Sequence, residues 1–143
     1  GLKVCFIQFI KGSWKYGELA AAERFGELID FHVMGKGFTW KSKDLEKDKA
    51  VARQGWELAR EAMASHRYHL VVLDEFTYLL AYQMIGLQTV LDGLNERPND
   101  LHVLVTGRDA PQALLDLADM VTQMQVVKHP LKSGIKAQKG IEF

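Results

Sequence analysis

The sequence predicts an α/β domain, with a mainly parallel sheet flanked by helices. Three observations carry that expectation. Short, nearly continuous apolar runs recur at residues 4–10, 70–73 and 101–105, the pattern of strands buried on both faces by covering helices. Segments with helical periodicity fall between them, and such alternation builds a parallel sheet. The chain has 143 residues, 48% hydrophobic and 25% charged, enough for one domain spanning 1–143 with a core of its own.

Taken in order, VCFIQFI at residues 4–10 is the first strand, ended by Lys11-Gly12. Residues 17–27 suit a short helix. Residues 29–34 form a weaker strand in which Phe31 and Val33 alternate with polar neighbours. A long helix is expected over 44–65, because Trp56, Ala59, Ala62 and Met63 share one face at helical spacing. LVVL at 70–73 is the next strand. Leu87, Val90, Leu91 and Leu94 repeat at i, i+3, i+4 and i+7, and Pro98 stops that helix near Arg97. After the strand at 101–105, Pro111 suits the first turn of another helix, with Asp109 or Ala110 near its cap. Leu114, Leu115 and Ala118 would face inward. Residues 121–127 complete an expected five strands.

Composition excludes several function classes. Lys+Arg and Asp+Glu both total 18, so the formal net charge is +0, and no general electrostatic footprint for nucleic acid or an anionic membrane exists. No apolar run reaches the roughly 18 residues of a membrane span, and no secretory signal is visible. The one cysteine, Cys5, rules out an internal disulfide framework and reads as a small buried hydrophobe. The cytoplasm is the expected compartment. The five histidines form no ligand motif; His66 and His69 flank an expected helix end, and His32 and His102 fall in strands. The tail carries Lys128, His129, Lys132, Lys136 and Lys139 against Glu142, which reads as a solvated basic segment.

Open parallel sheets bind ligands at the carboxyl ends of their strands. Asp74 and Glu75 directly follow the run at 70–73. An apolar strand ending in acids resembles a Walker B element, whose carboxylate holds Mg²⁺ beside a nucleotide's phosphates. Equally, such acids can cap the next helix or face solvent. Thr106-Gly107-Arg108-Asp109 follows the run at 101–105, where Arg108 could meet an anion or stand solvated in a plain turn. A phosphate loop needs G-x-x-x-x-G-K-[ST]. Gly12 and Gly17 have that glycine spacing, but Glu18 and Leu19 occupy the Lys and Ser/Thr places. Lys41-Ser42 is preceded by Trp40 rather than glycine. No usable phosphate loop exists in these residues. Gly35-Lys36-Gly37-Phe38-Thr39-Trp40 can instead wall off a flat apolar ligand with its two aromatics, or pack them onto the core.

Together, VCFIQFIKG, MGKGFTW, VVLDEFTYLLAY, Arg97-Pro98, VTGR and VKHPLKSGIKAQKGI resemble the P-loop-type ATP:corrinoid adenosyltransferases, in the family's order and across almost the whole chain. The resemblance implies a P-loop NTPase-like (RecA-like) fold and transfer of the 5′-deoxyadenosyl group of ATP to cobalt(I) of a corrinoid, with release of triphosphate. It implies Glu75 as the Mg²⁺ contact (Mn²⁺ as a substitute ion), Asp74 in support, and Arg108 on the phosphates. Phe38 and Trp40 would close beneath the corrin, on a loop freed by Gly35 and Gly37. A homodimer and an electron-donating reductase or flavoprotein are the implied partners. The family's phosphate loop precedes the segment matching residues 4–12, and the first methionine here is Met34. The chain is therefore expected to be N-terminally incomplete, without that loop and its strand, and to transfer weakly or not at all by itself. The alternative is a non-catalytic nucleotide- or corrinoid-binding module that has lost the loop. A generic phosphate-loop ATPase has no evident need for the GFTW segment.

Overall fold

The computed structural model describes residues 1–10, 17–34, 45–138, 140 and 141. Four strands, β1 (Val4–Gln8), β2 (Ile29–Val33), β3 (Leu70–Asp74) and β4 (His102–Val105), pair in the order β2-β1-β3-β4. Every pairing is parallel. From β1 the chain moves to β2 on one side, then crosses to β3 on the other. The order reverses between β1 and β3, where Gln8 is the register partner of Asp74. This is the topological switch point.

Among the described residues, five α-helices lie between and after the strands: α1 (Gly17–Ala22), α2 (Leu45–Ala64), α3 (Thr77–Ala81), α4 (Leu87–Asn95) and α5 (Gln112–Leu117). Cys5, Ile7 and Phe9 alternate onto the sheet face that meets the buried stripe of α2, which includes Ala52, Trp56, Ala59 and Met63. Small residues bring α2 close to the sheet and α4 close to α2. A Cβ on Gly55 would stand 2.8 Å from the Phe9 ring, and one on Gly93 of α4 would stand 2.7 Å from Trp56. On the opposite face Phe6 stacks on Phe31, centroids 4.8 Å apart. α4 ends at Asn95, close to the stop expected before Pro98, and Arg97 Nη1 donates to the carbonyl of Leu94 at 2.9 Å.

Four expectations need correction. Residues 121–127 form no strand; Val121 and Val127 are 54% and 92% exposed. The other face, Thr122, Met124 and Val126, is no better packed, with Met124 and Val126 92% and 61% exposed, so the segment has no neighbouring strand or helix among the described residues to cover it. The helix expected over 17–27 stops as α-helix at Ala22, and Gly26 (φ 54, ψ −125) breaks the 3₁₀ segment Glu23–Leu28 that follows. Pro111 is the N-cap of α5 rather than part of its first turn, and neither Asp109 nor Ala110 caps it. Because α5 ends at Leu117, that residue packs on the core and Ala118 is an exposed C-cap.

Cys5 is 1% exposed, as a structural thiol should be. Burial, then the nearby Asp30 carboxylate, push its thiol up to about 11. The Tyr68 phenol is pushed up to about 12 by burial and by donating to Asp30 Oδ2 at 2.6 Å. Both groups sit toward the amino ends of the strands, away from the switch point.

Candidate functional site at the switch point

The site grows from the carboxyl ends of β1, β3 and β4. Polar Gln8 ends the otherwise apolar β1 and is 1% exposed. Its Nε2 donates to Asp74 Oδ2 at 3.3 Å. Across β3, Thr106 Oγ1 donates to Asp74 Oδ1 at 3.0 Å. Both oxygens of Asp74 are thus engaged by neighbouring strands. The same Thr106 hydroxyl accepts from the backbone N–H of Glu75 at 2.9 Å, so one side chain ties down both acids.

Glu75 stands in the left-handed region, with φ 58. A non-glycine residue there costs about 1–2 kcal/mol, and the next residue explains why it persists. Phe76 is fully buried, packed against Phe9 at 5.0 Å and Trp56 at 5.4 Å between ring centroids. The sharp turn at Glu75 drops Phe76 into the core and leaves the carboxylates at the rim. Glu75 Oε2 is buried and has no hydrogen-bond partner among the described residues. Gln8 Oε1 is in the same condition. An orphaned buried carboxylate oxygen is unfavourable until a donor or cation meets it. Glu75 therefore fits a hard divalent cation, with Asp74 held beside it by Gln8 and Thr106. No cluster of three or more His, Cys, Asp or Glu side chains able to hold a metal occurs among the described residues.

The loop after β4 faces these acids. Gly107 has φ 143, and a Cβ there would lie 2.0 Å from Thr77 Oγ1. That hydroxyl belongs to a side chain only 3% exposed and donates to the carbonyl oxygen of Arg108 at 2.7 Å. Thr77 N–H also reaches Thr106 O at 3.4 Å. Arg108 is exposed, and its guanidinium makes no ion pair among the described residues. The arrangement puts an acidic arm on β3 beside a cationic arm on the β4 loop, a pairing suited to a metal-bound polyphosphate.

The structure thus brings Asp74, Glu75 and Arg108 to one rim. Gly35, Gly37, Phe38 and Trp40 lie outside the described residues, as do Lys139 and Glu142 of the tail. Sequence reasoning missed Gln8, Thr77 and Thr106 as parts of the site. Gln8 carried a signal, as a polar residue at the end of an apolar run.

A model of the family described as ATP:corrinoid adenosyltransferase BtuR/CobO/CobP matches residues 1–143. The chain belongs to this family. It is 46% identical to a corrinoid adenosyltransferase of Pseudomonas aeruginosa, covering 100% of this chain and 70% of that protein. It is 42% identical to the corrinoid adenosyltransferase of Escherichia coli K12 and 41% identical to corrinoid adenosyltransferase CobA of Salmonella typhimurium, covering all of this chain and 72% of each. These relatives are named as enzymes, and they lend no support to a non-catalytic binding module. No helix among the described residues is long and apolar enough to cross a membrane.

Proposed function

We propose that this protein transfers the 5′-deoxyadenosyl group of ATP to the cobalt(I) of a corrinoid and releases triphosphate. The family match over the whole chain carries the reading. The acids and Arg108 at the switch point support it, because they form the kind of rim a metal-bound triphosphate needs. Cobalt(I) donates an electron pair to the ribose 5′ carbon. The bond from that carbon to oxygen breaks, and its electrons leave with the triphosphate. Since the reduced metal is already a strong nucleophile, the protein's work is to orient ATP, stabilise the leaving group and shelter the reactants.

Glu75 would hold Mg²⁺ (or Mn²⁺) through its unpartnered oxygen, while Asp74, locked by Gln8 and Thr106, supports it. The bound ion would supply charge neutralisation to the phosphates. Arg108 adds a further positive charge to the leaving triphosphate. Phe38 and Trp40 are assigned to the lower face of the corrin, where they would exclude an axial ligand and make cobalt(II) easier to reduce. Gly35 and Gly37 are assigned the backbone freedom that closing this segment over the corrin would need. The reading extends to a cytoplasmic homodimer supplied with electrons by a reductase or flavoprotein, without nucleic-acid or membrane partners.

The test is anaerobic incubation of the protein, expressed from its complete gene, with ATP, Mg²⁺ and chemically reduced cobalamin. Formation of a light-sensitive alkylcobalamin spectrum is expected. Its absence from folded, ATP-binding protein would overturn the assignment.

A further inference from the structure

The two arms of the site are braced to each other by a reciprocal pair of threonines. Thr106, on the β4 side, reaches back to Asp74 and the Glu75 N–H. Thr77, on the β3 side, reaches forward to the Arg108 carbonyl at 2.7 Å. Thr77 is 3% exposed, so its hydroxyl is committed to that bond rather than shared with water. Gly107 is the piece that permits the contact, since any Cβ there would stand 2.0 Å from the hydroxyl.

We infer that Thr77 is a positioning residue for anion binding, acting through Arg108: its buried hydroxyl fixes the backbone that carries the guanidinium and keeps it in register with the acids on β3. The inference rests on the proposed role of Arg108 toward the triphosphate. Arg108 is exposed, and its freedom to swing is limited mainly by the backbone it springs from. Without the Thr77 bond, the turn from Gly107 to Asp109 loses its side-chain anchor, while the acids keep theirs through Thr106 and Gln8. Affinity for the polyphosphate should then fall, and corrinoid affinity should not.

The test is a double-mutant cycle on the full-length protein, read by calorimetric titration with inorganic triphosphate in Mg²⁺. Arg108→Ala and Thr77→Val are each expected to weaken binding about tenfold, roughly the loss of one hydrogen bond's worth of ordering. Thr77→Ser should retain affinity within about twofold, because it keeps the hydroxyl. In the Arg108→Ala background Thr77→Val should add nothing. KM for ATP should rise in Thr77→Val while KM for corrinoid stays put. Should Thr77→Val fail to fold, Thr77→Ala carries the same expectations. Additive losses would overturn the inference and leave the reading of Arg108 standing. An Arg108→Ala protein with unchanged triphosphate affinity would overturn both.

Discussion

Replacing Gly107 by alanine is the substitution whose cost the structure defines most directly. Two effects add. Alanine must adopt φ 143, a conformation that L residues avoid at a cost of about 1–3 kcal/mol. Its Cβ would also stand 2.0 Å from Thr77 Oγ1, so the hydroxyl must leave the Arg108 carbonyl. A buried donor and acceptor are then stranded, at about 1–3 kcal/mol. The sum is about 2–6 kcal/mol. With a urea m-value of about 2 kcal/mol/M for a domain of this size, the unfolding midpoint should fall by about 1–3 M. Gly134→Ala is the control: it shares a positive φ of 74 but has no atom within 4 Å of the added Cβ. It should lose about 1 kcal/mol through the backbone alone. Equal midpoints for the two variants would refute the close contact at Thr77.

Other substitutions separate the proposed roles. Glu75→Gln should weaken Mn²⁺ binding in the presence of ATP about tenfold or more, read by electron paramagnetic resonance; unchanged affinity would remove Glu75 from the metal site. Trp40→Ala should slow adenosyl transfer to cobalamin more than it weakens ATP binding in equilibrium dialysis, and equal losses would contradict its corrin assignment. Phe76→Ala should cost about 3–5 kcal/mol in chemical denaturation, since it empties the space between Phe9 and Trp56 that anchors the turn at Glu75; a loss below about 1 kcal/mol would argue against that anchor. Alkaline pH should also destabilise the fold. Cys5 and Tyr68 keep protons in the folded state that the unfolded chain releases, so their contribution is full below pH 9 and is lost as pH rises through 9.0–11 for the thiol and 10.0–12 for the phenol. Cys5→Ala should flatten the stability profile between pH 9 and 11, and an unchanged slope there would count against it.

The apolar runs at β1 and β3 were legible because strands covered on both faces leave no alternation to misread; β4 lies at the edge of the described sheet with His102 and Leu104 exposed, and was legible from its apolar run alone. The long stripe of α2 and the stop at Pro98 were legible for equally local reasons. The expected strand at 121–127 failed because β-prone composition does not by itself supply a neighbour to pair with, and Met124, Val126 and Val127 stay exposed. Within the site, the acids and Arg108 could be found from position alone, at the ends of apolar runs. Their supports could not. Thr77 and Thr106 look like ordinary turn residues in the sequence, and their meaning depends on the parallel pairing of β3 with β4. Gln8 meets Asp74 only because residues 66 apart in sequence are register partners. The left-handed turn at Glu75 had no signal at all, since glutamate does not favour it.

The central claim is that bond breaking occurs at the ribose 5′ carbon, with Arg108 and the acids on β3 holding a triphosphate that leaves intact. The most direct measurement is the phosphorus product of a single turnover, made anaerobically with the full-length protein, ATP and cobalt(I) corrinoid. The account predicts one triphosphate for each corrinoid adenosylated and no orthophosphate ahead of it. Orthophosphate or pyrophosphate appearing in step with turnover, with no adenosyl group on cobalt, would contradict it.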